Sequence, residues 1–208
     1  MHVYAFGSVC RGEIDRGSDL DLLAVVRAFD SRFDPAVYSI YSYERLSELW
    51  EEGNAFAWHL ALESRLLFAE DDVDFLGALG MPKPYLQCVD DCQKFRALFH
   101  DALAGLGVSP ATAVFELSTI FLAVRNLATC FSLGRSNHPV FGRHAALQLG
   151  SRSLRLDQRA YDTLVSARML STRATGSRPS PEDIANVRGQ LEHVNRWMNE
   201  LVKEARAL

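Results

Sequence analysis

An apolar run that begins at Val3 ends in Phe6-Gly7-Ser8-Val9-Cys10-Arg11-Gly12. After a short polar gap a second run opens at Ser18-Asp19-Leu20-Asp21-Leu22 and continues to Val26. This reads as two strands with a Gly-Ser turn at the end of the first. Side chains alternate along a strand, so Asp19 and Asp21 fall on one face while Leu20 and Leu22 fall on the other. Gly7 permits close approach to the backbone, and the turn offers N–H groups. Two hard oxygen donors beside such a turn suit a divalent cation and a phosphate chain.

Further strands and helices intermix over the first seventy residues. Val37–Tyr43 alternates well enough to be a third strand. Glu44–Glu52 reads as a short helix that Gly53 stops. Phe56–Phe68 combines a short helix with a closing strand at Arg65–Phe68. An acidic cluster (Glu70, Asp71, Asp72, Asp74) and the Gly80-Met81-Pro82-Lys83-Pro84 punctuation then mark a change of character. Beyond it, Phe95, Leu98, Phe99, Ala102, Leu103 and Leu106 keep helical spacing, as do Val114, Leu117, Phe121, Val124, Ala128 and Phe131. Asp157–Met169 repeats the pattern. The last helix is marked by Ser180 as N-cap, Pro181 in the first turn and Asp183 three residues after the cap. The fold class is α+β, with one domain over 1–82 and a helical bundle over 83–208.

The pattern Gly-Ser-x-x-Arg-Gly-x5-Ser-Asp-x-Asp-Leu closely resembles the signature of the nucleotidyltransferase superfamily that includes DNA polymerase beta. The minimal bacterial nucleotidyltransferases and the kanamycin nucleotidyltransferases look nearest. The motif spans residues 3–26, and a weaker likeness runs to about Phe68 through Glu44-Arg45-Leu46, Gly53 and Phe56-Ala57-Trp58-His59. The resemblance implies a small mixed-sheet domain that moves a nucleoside monophosphate, AMP from ATP, onto a hydroxyl. It makes Asp19 and Asp21 ligands of Mg²⁺, two ions in all, and catalytic residues. It gives Gly7, Ser8, Arg11 and Ser18 to the triphosphate, with Gly12 and Ser18 also shaping the loop. Two metal ions held by carboxylates stabilise both the attacking and the departing oxygen of such a transfer.

Two departures from the family pattern matter. The family carries a helix before its first strand, whereas Met1 stands almost on the strand here, so one wall of the fold is expected to be missing. A third carboxylate is expected around Val37–Tyr41, and Val37-Tyr38-Ser39-Ile40-Tyr41 contains no acid; Asp34 precedes it and Glu44 follows. In kanamycin-type enzymes a Glu of the helical domain serves as base, which points to Glu116. His59, in an aromatic-apolar stretch, reads as a core residue. Arg125-Asn126 lacks a following His at the spacing of the helical ribonucleases that partner minimal nucleotidyltransferases, so ribonuclease activity is rejected.

Composition sets outer bounds. At 208 residues and 48% hydrophobic content the chain can bury substantial cores. A formal net charge of -4 argues against a long nucleic-acid partner, which asks for a basic surface. The four cysteines are scattered, and Cys88-x3-Cys92 has no second pair at zinc spacing, so they read as structural thiols. No run is read as approaching membrane-spanning length and no signal peptide is seen, so a cytoplasmic location and no membrane partner are expected. The expected partners are a nucleoside triphosphate and a hydroxyl-bearing small molecule or protein acceptor. The oligomeric state stays open between monomer and homodimer. The alternative function is a catalytically weakened nucleotide-binding protein, or an antitoxin-like regulator of a helical toxin, on the same fold.

Overall fold

The computed structural model describes residues 1–13, 20–106, 109–136 and 138–207. They fall into two compact units, Met1–Leu86 and Gln87–Leu208.

The first unit is built on four strands: β1 (His2–Phe6), β2 (Asp21–Val26), β3 (Tyr38–Ser42) and β4 (Ser64–Ala69). Their order is β3-β2-β1-β4, with β1 antiparallel to both neighbours and β2 parallel to β3, so the sheet is mixed. The register sets Phe6 opposite Asp21 on one side and Ser64 on the other. Alternation then divides the apolar side chains between two faces. Tyr4, Phe6, Leu23 and Val25 pack with Leu46, Leu49 and Trp50 of α1 (Tyr43–Glu51), Ala57 and Leu60 of α2 (Ala55–Glu63), and Leu76 of α3 (Phe75–Leu79). Ala24 and Val26 face the other way, against Phe33 and Tyr38.

Short polar side chains start the helices where the sequence supplies them. The Ser42 side chain accepts from Arg45 N–H, Asn54 from Phe56 N–H and Asp74 from Gly77 N–H. The acidic cluster read as punctuation therefore contains a cap. Asp74 also accepts from the buried Tyr4 hydroxyl at 2.9 Å. Gly53 ends α1 at φ 61° with the Lys83 and Pro84 carbonyls close against it, where a Cβ would lie 2.4 Å from the Pro84 oxygen.

The second unit is helical: α4 (Cys88–Leu106), α5 (Ala113–Arg135), α6 (Gln158–Arg173) and α7 (Pro181–Arg206). α5 packs against the other three. It corrects the expectation about apolar runs, because its 23 residues are long and apolar enough to cross a membrane. Here that apolarity is spent on a core: Leu117, Ile120, Ala123, Leu127 and Ala128 are wholly buried among the neighbouring helices. Cys88, Cys92 and Cys130 are buried cysteines of this unit outside any disulfide, and a buried Cys behaves as a small apolar residue. The α7 start matches its sequence signature. Ser180 Oγ accepts from Asp183 N–H at 3.1 Å while Asp183 accepts from Ser180 N–H at 3.2 Å, a reciprocal capping box.

Candidate active site

At the end of β1 the chain turns through a 3-10 segment, Gly7–Val9. Gly7 has φ 76°, in the region that favours glycine. The turn is locked from within: Gly7 O accepts from Cys10 N–H at 3.0 Å and Ser8 O from Glu13 N–H at 2.9 Å. These bonds consume carbonyls of the turn and N–H groups downstream of it. The half-exposed Ser8 hydroxyl has no partner among the described residues.

Asp21 opens β2 with its side chain exposed, directly across from Phe6. Its carboxylate lies over Gly7, so that a Cβ on Gly7 would sit 2.8 Å from Asp21 Oδ2. This is a physical reason for glycine beyond its φ. A concavity of about 360 Å³ opens beside the carboxylate, lined by Leu20, Asp21, Pro35, Val37, Tyr38 and Ser39 among others. An exposed carboxylate over a glycine turn gives a hard cation an oxygen ligand next to a seat for phosphate. Asp19 and Ser18, on which the paired-carboxylate expectation also rests, lie outside the described residues.

Residues 2–83 match the model of the nucleotidyltransferase domain family. The first unit carries a nucleotidyltransferase domain. No curated protein matches the chain. Nucleotidyl transfer is the chemistry of this domain family, and the Gly7-Ser8 turn and Asp21 fall within the matched residues.

Within this nucleotidyltransferase domain the remaining candidates sort by position. Arg11 is half-buried; its Nε donates to Glu13 Oε2 at 2.9 Å and its Nη1 to Glu63 Oε2. Glu63 ends α2, immediately before Ser64 pairs with Phe6, and its Oε2 also lies 3.0 Å from His59 Nε2. The His59 ring meets Phe6 edge-on at 5.7 Å. The post-turn loop is thereby tied to α2 through Arg11, Glu63 and His59. Sequence reasoning missed Glu63. The available signal was the i,i+4 spacing from His59, which puts both side chains on one helix face.

On β3 no acid joins Asp21. Asp34 Oδ1 accepts from Ala36 N–H at 2.8 Å and stabilises the turn before the strand. Glu44 follows Ser42, which pairs with Val26, so it lies at the end of the sheet remote from Asp21. Among the described residues no three His, Cys, Asp or Glu side chains gather as a metal site. Glu116 belongs to the helical unit, near the start of α5. Its carboxylate lies against α4 at Gly105, where a Cβ would come within 2.5 Å of Oε1.

Proposed function

We propose that the protein moves a nucleoside monophosphate, AMP from ATP, onto a hydroxyl of a small molecule or a protein, with Mg²⁺ as the metal. The observation that carries this reading is the Asp21 carboxylate seated over Gly7 of the Gly7-Ser8 turn. Asp21, with Asp19, would hold the metal, which when bound neutralises the phosphate charge that builds during transfer. Ser8 and the N–H groups at the start of the turn bind the distal phosphates. Gly7 keeps the backbone close enough to do so. Arg11, paired with Glu13 and Glu63, ties the residues just after the turn to α2 beside the proposed phosphate seat. In the transfer the acceptor oxygen bonds to the α-phosphorus as its bond to the bridging oxygen breaks, and pyrophosphate leaves. The acceptor proton passes to a carboxylate, for which Glu116 keeps the assignment that the resemblance supplies. The helical unit is the proposed acceptor or partner domain.

A specific observation favours a second reading. With β3 free of acids, the site offers fewer metal ligands than the family pattern, and a protein that binds nucleotide without turning it over satisfies the same geometry. Incubation with α-labelled triphosphates, Mg²⁺ and hydroxyl-bearing acceptors separates the two. Label on an acceptor with release of pyrophosphate supports transfer. Metal-dependent binding without pyrophosphate release supports the weakened form. Absence of triphosphate binding defeats both.

A further inference from the structure

We propose that the concavity between the 150–155 loop and α7 is a binding site for a phosphate monoester. It stands in the helical unit, holds about 320 Å³, and its lining includes Arg155, His193, Arg196, Trp197 and Glu200 together with the Arg152 and Glu204 side chains. The argument is independent of nucleotidyl transfer.

The loop is held in place by bonds that leave its charges unspent. Trp197 Nε1 donates to Arg152 O at 2.8 Å, and Leu154, itself buried, donates its N–H to Ala146 O at 2.8 Å. Arg152 closes a two-pronged pair with Glu204, Nε to Oε2 at 2.7 Å, so those two charges cancel. Beyond that pair, the lining carries Arg155 from the loop and Arg196 and His193 from α7, with the carboxylate of Glu200. None of Arg155, Arg196 or His193 has a partner among the described residues. Two unpaired guanidinium groups from separate elements lining one concavity are conspicuous in a chain of net charge -4.

Guanidinium is the side chain suited to multidentate capture of phosphate oxygens. With the Ser151 and Ser153 hydroxyls the site presents more donors than the two oxygens of a carboxylate can accept. Trp197 and Leu201 supply an apolar wall for the organic part of an ester, and the volume suits a small molecule.

The test uses the full chain and phenyl phosphate in calorimetry, with chelator present and no divalent metal. The native protein is expected to bind. Arg155→Ala combined with Arg196→Ala, both exposed positions, is expected to weaken binding about tenfold or more, a loss of about 1.4 kcal/mol at least. Glu200→Gln is expected to tighten it, an effect that loss of folding does not produce. Asp21→Asn is expected to leave it unchanged, which separates this site from the nucleotide site. Absence of native binding, or equal binding by the double variant, overturns the proposal. Inorganic phosphate binding as tightly as phenyl phosphate overturns the ester assignment.

Discussion

The two ends of the sheet in the first unit use polar residues in opposite ways. At the end where β1 runs into Gly7, the Asp21 carboxylate is exposed over a glycine, and the Ser8 hydroxyl has no partner among the described residues. At the other end polar groups are tied to one another. Buried His2 contacts the Tyr43 hydroxyl at 2.7 Å through Nδ1 and donates from Nε2 to Val73 O at 2.8 Å, with Asp71 Oδ1 at 3.1 Å. Tyr4 Oη donates to Asp74 and accepts Leu76 N–H at 3.0 Å. The Tyr43 and Phe75 rings close the arrangement edge-on at 4.8 Å. Paired polar groups fix α1 and α3 on the sheet. The Ser8 hydroxyl, without a partner among the described residues, is available to a ligand beside the exposed Asp21 carboxylate.

If that contrast is right, substitutions at the two ends separate binding from stability. The largest effect is expected from Asp21→Asn. It removes an oxygen ligand and the charge that balances a divalent ion while preserving shape at an exposed position. Calorimetry of triphosphate with and without Mg²⁺ should show metal-dependent binding lost, with the thermal midpoint close to native. Equal, metal-independent binding by both proteins would remove Asp21 from the site. Gly7→Ala comes next. The alanine is strained at φ 76°, by about 1–2 kcal/mol, and its Cβ meets Asp21 Oδ2, so the carboxylate must move. Both affinity and stability should fall, and a variant with native affinity would show that the carboxylate's seat over Gly7 is immaterial.

At the opposite end Tyr4→Phe should do the reverse. It leaves the buried Leu76 N–H without its acceptor and takes from Asp74 one of its two donors, the Gly77 N–H remaining, at a cost of about 1–3 kcal/mol. Denaturant titration should register that loss while metal-dependent triphosphate binding stays native. A drop in affinity without a drop in stability would erase the distinction between the ends.

The same contrast explains what could be read in the sequence. The Gly7-Ser8 turn, the face of Asp21 and the α7 cap were legible because each depends on neighbours a few residues away. α3 was not, because Asp74 acts as a cap but also binds Tyr4, a residue seventy positions earlier whose approach depends on β1 lying beside β4. The resemblance points Arg11 toward phosphate, and its pairing with Glu63 arises only when α2 delivers Glu63 next to Phe6. α5 was legible as a helix from the spacing between Val114 and Phe131, but that spacing does not show that thirteen of its residues are buried, which its packing against the other three helices decides. Long-range pairing decides such cases, and local spacing carries little record of it.

The smallest expected effect concerns Asp71, at the tied end. Its carboxyl is held below the usual carboxylate range, first by accepting Val73 N–H and, with a smaller part, by His2. A group whose pKa is lower in the folded than in the unfolded chain stabilises the fold above its unfolded pKa. That contribution is lost as pH falls through the folded value. Asp71→Asn keeps an oxygen to accept Val73 N–H but no longer titrates, so stability should fall less steeply on acidification than in the native protein. Because Asp71 is solvent-exposed, the difference should be small and confined to the acid side, below about pH 5. Urea midpoints measured across that range should converge for the two proteins at low pH and separate, native higher, toward neutrality. Parallel curves would mean that the Asp71 charge does nothing for the tied end, leaving Tyr4, Asp74 and the His2 hydrogen bonds to hold it.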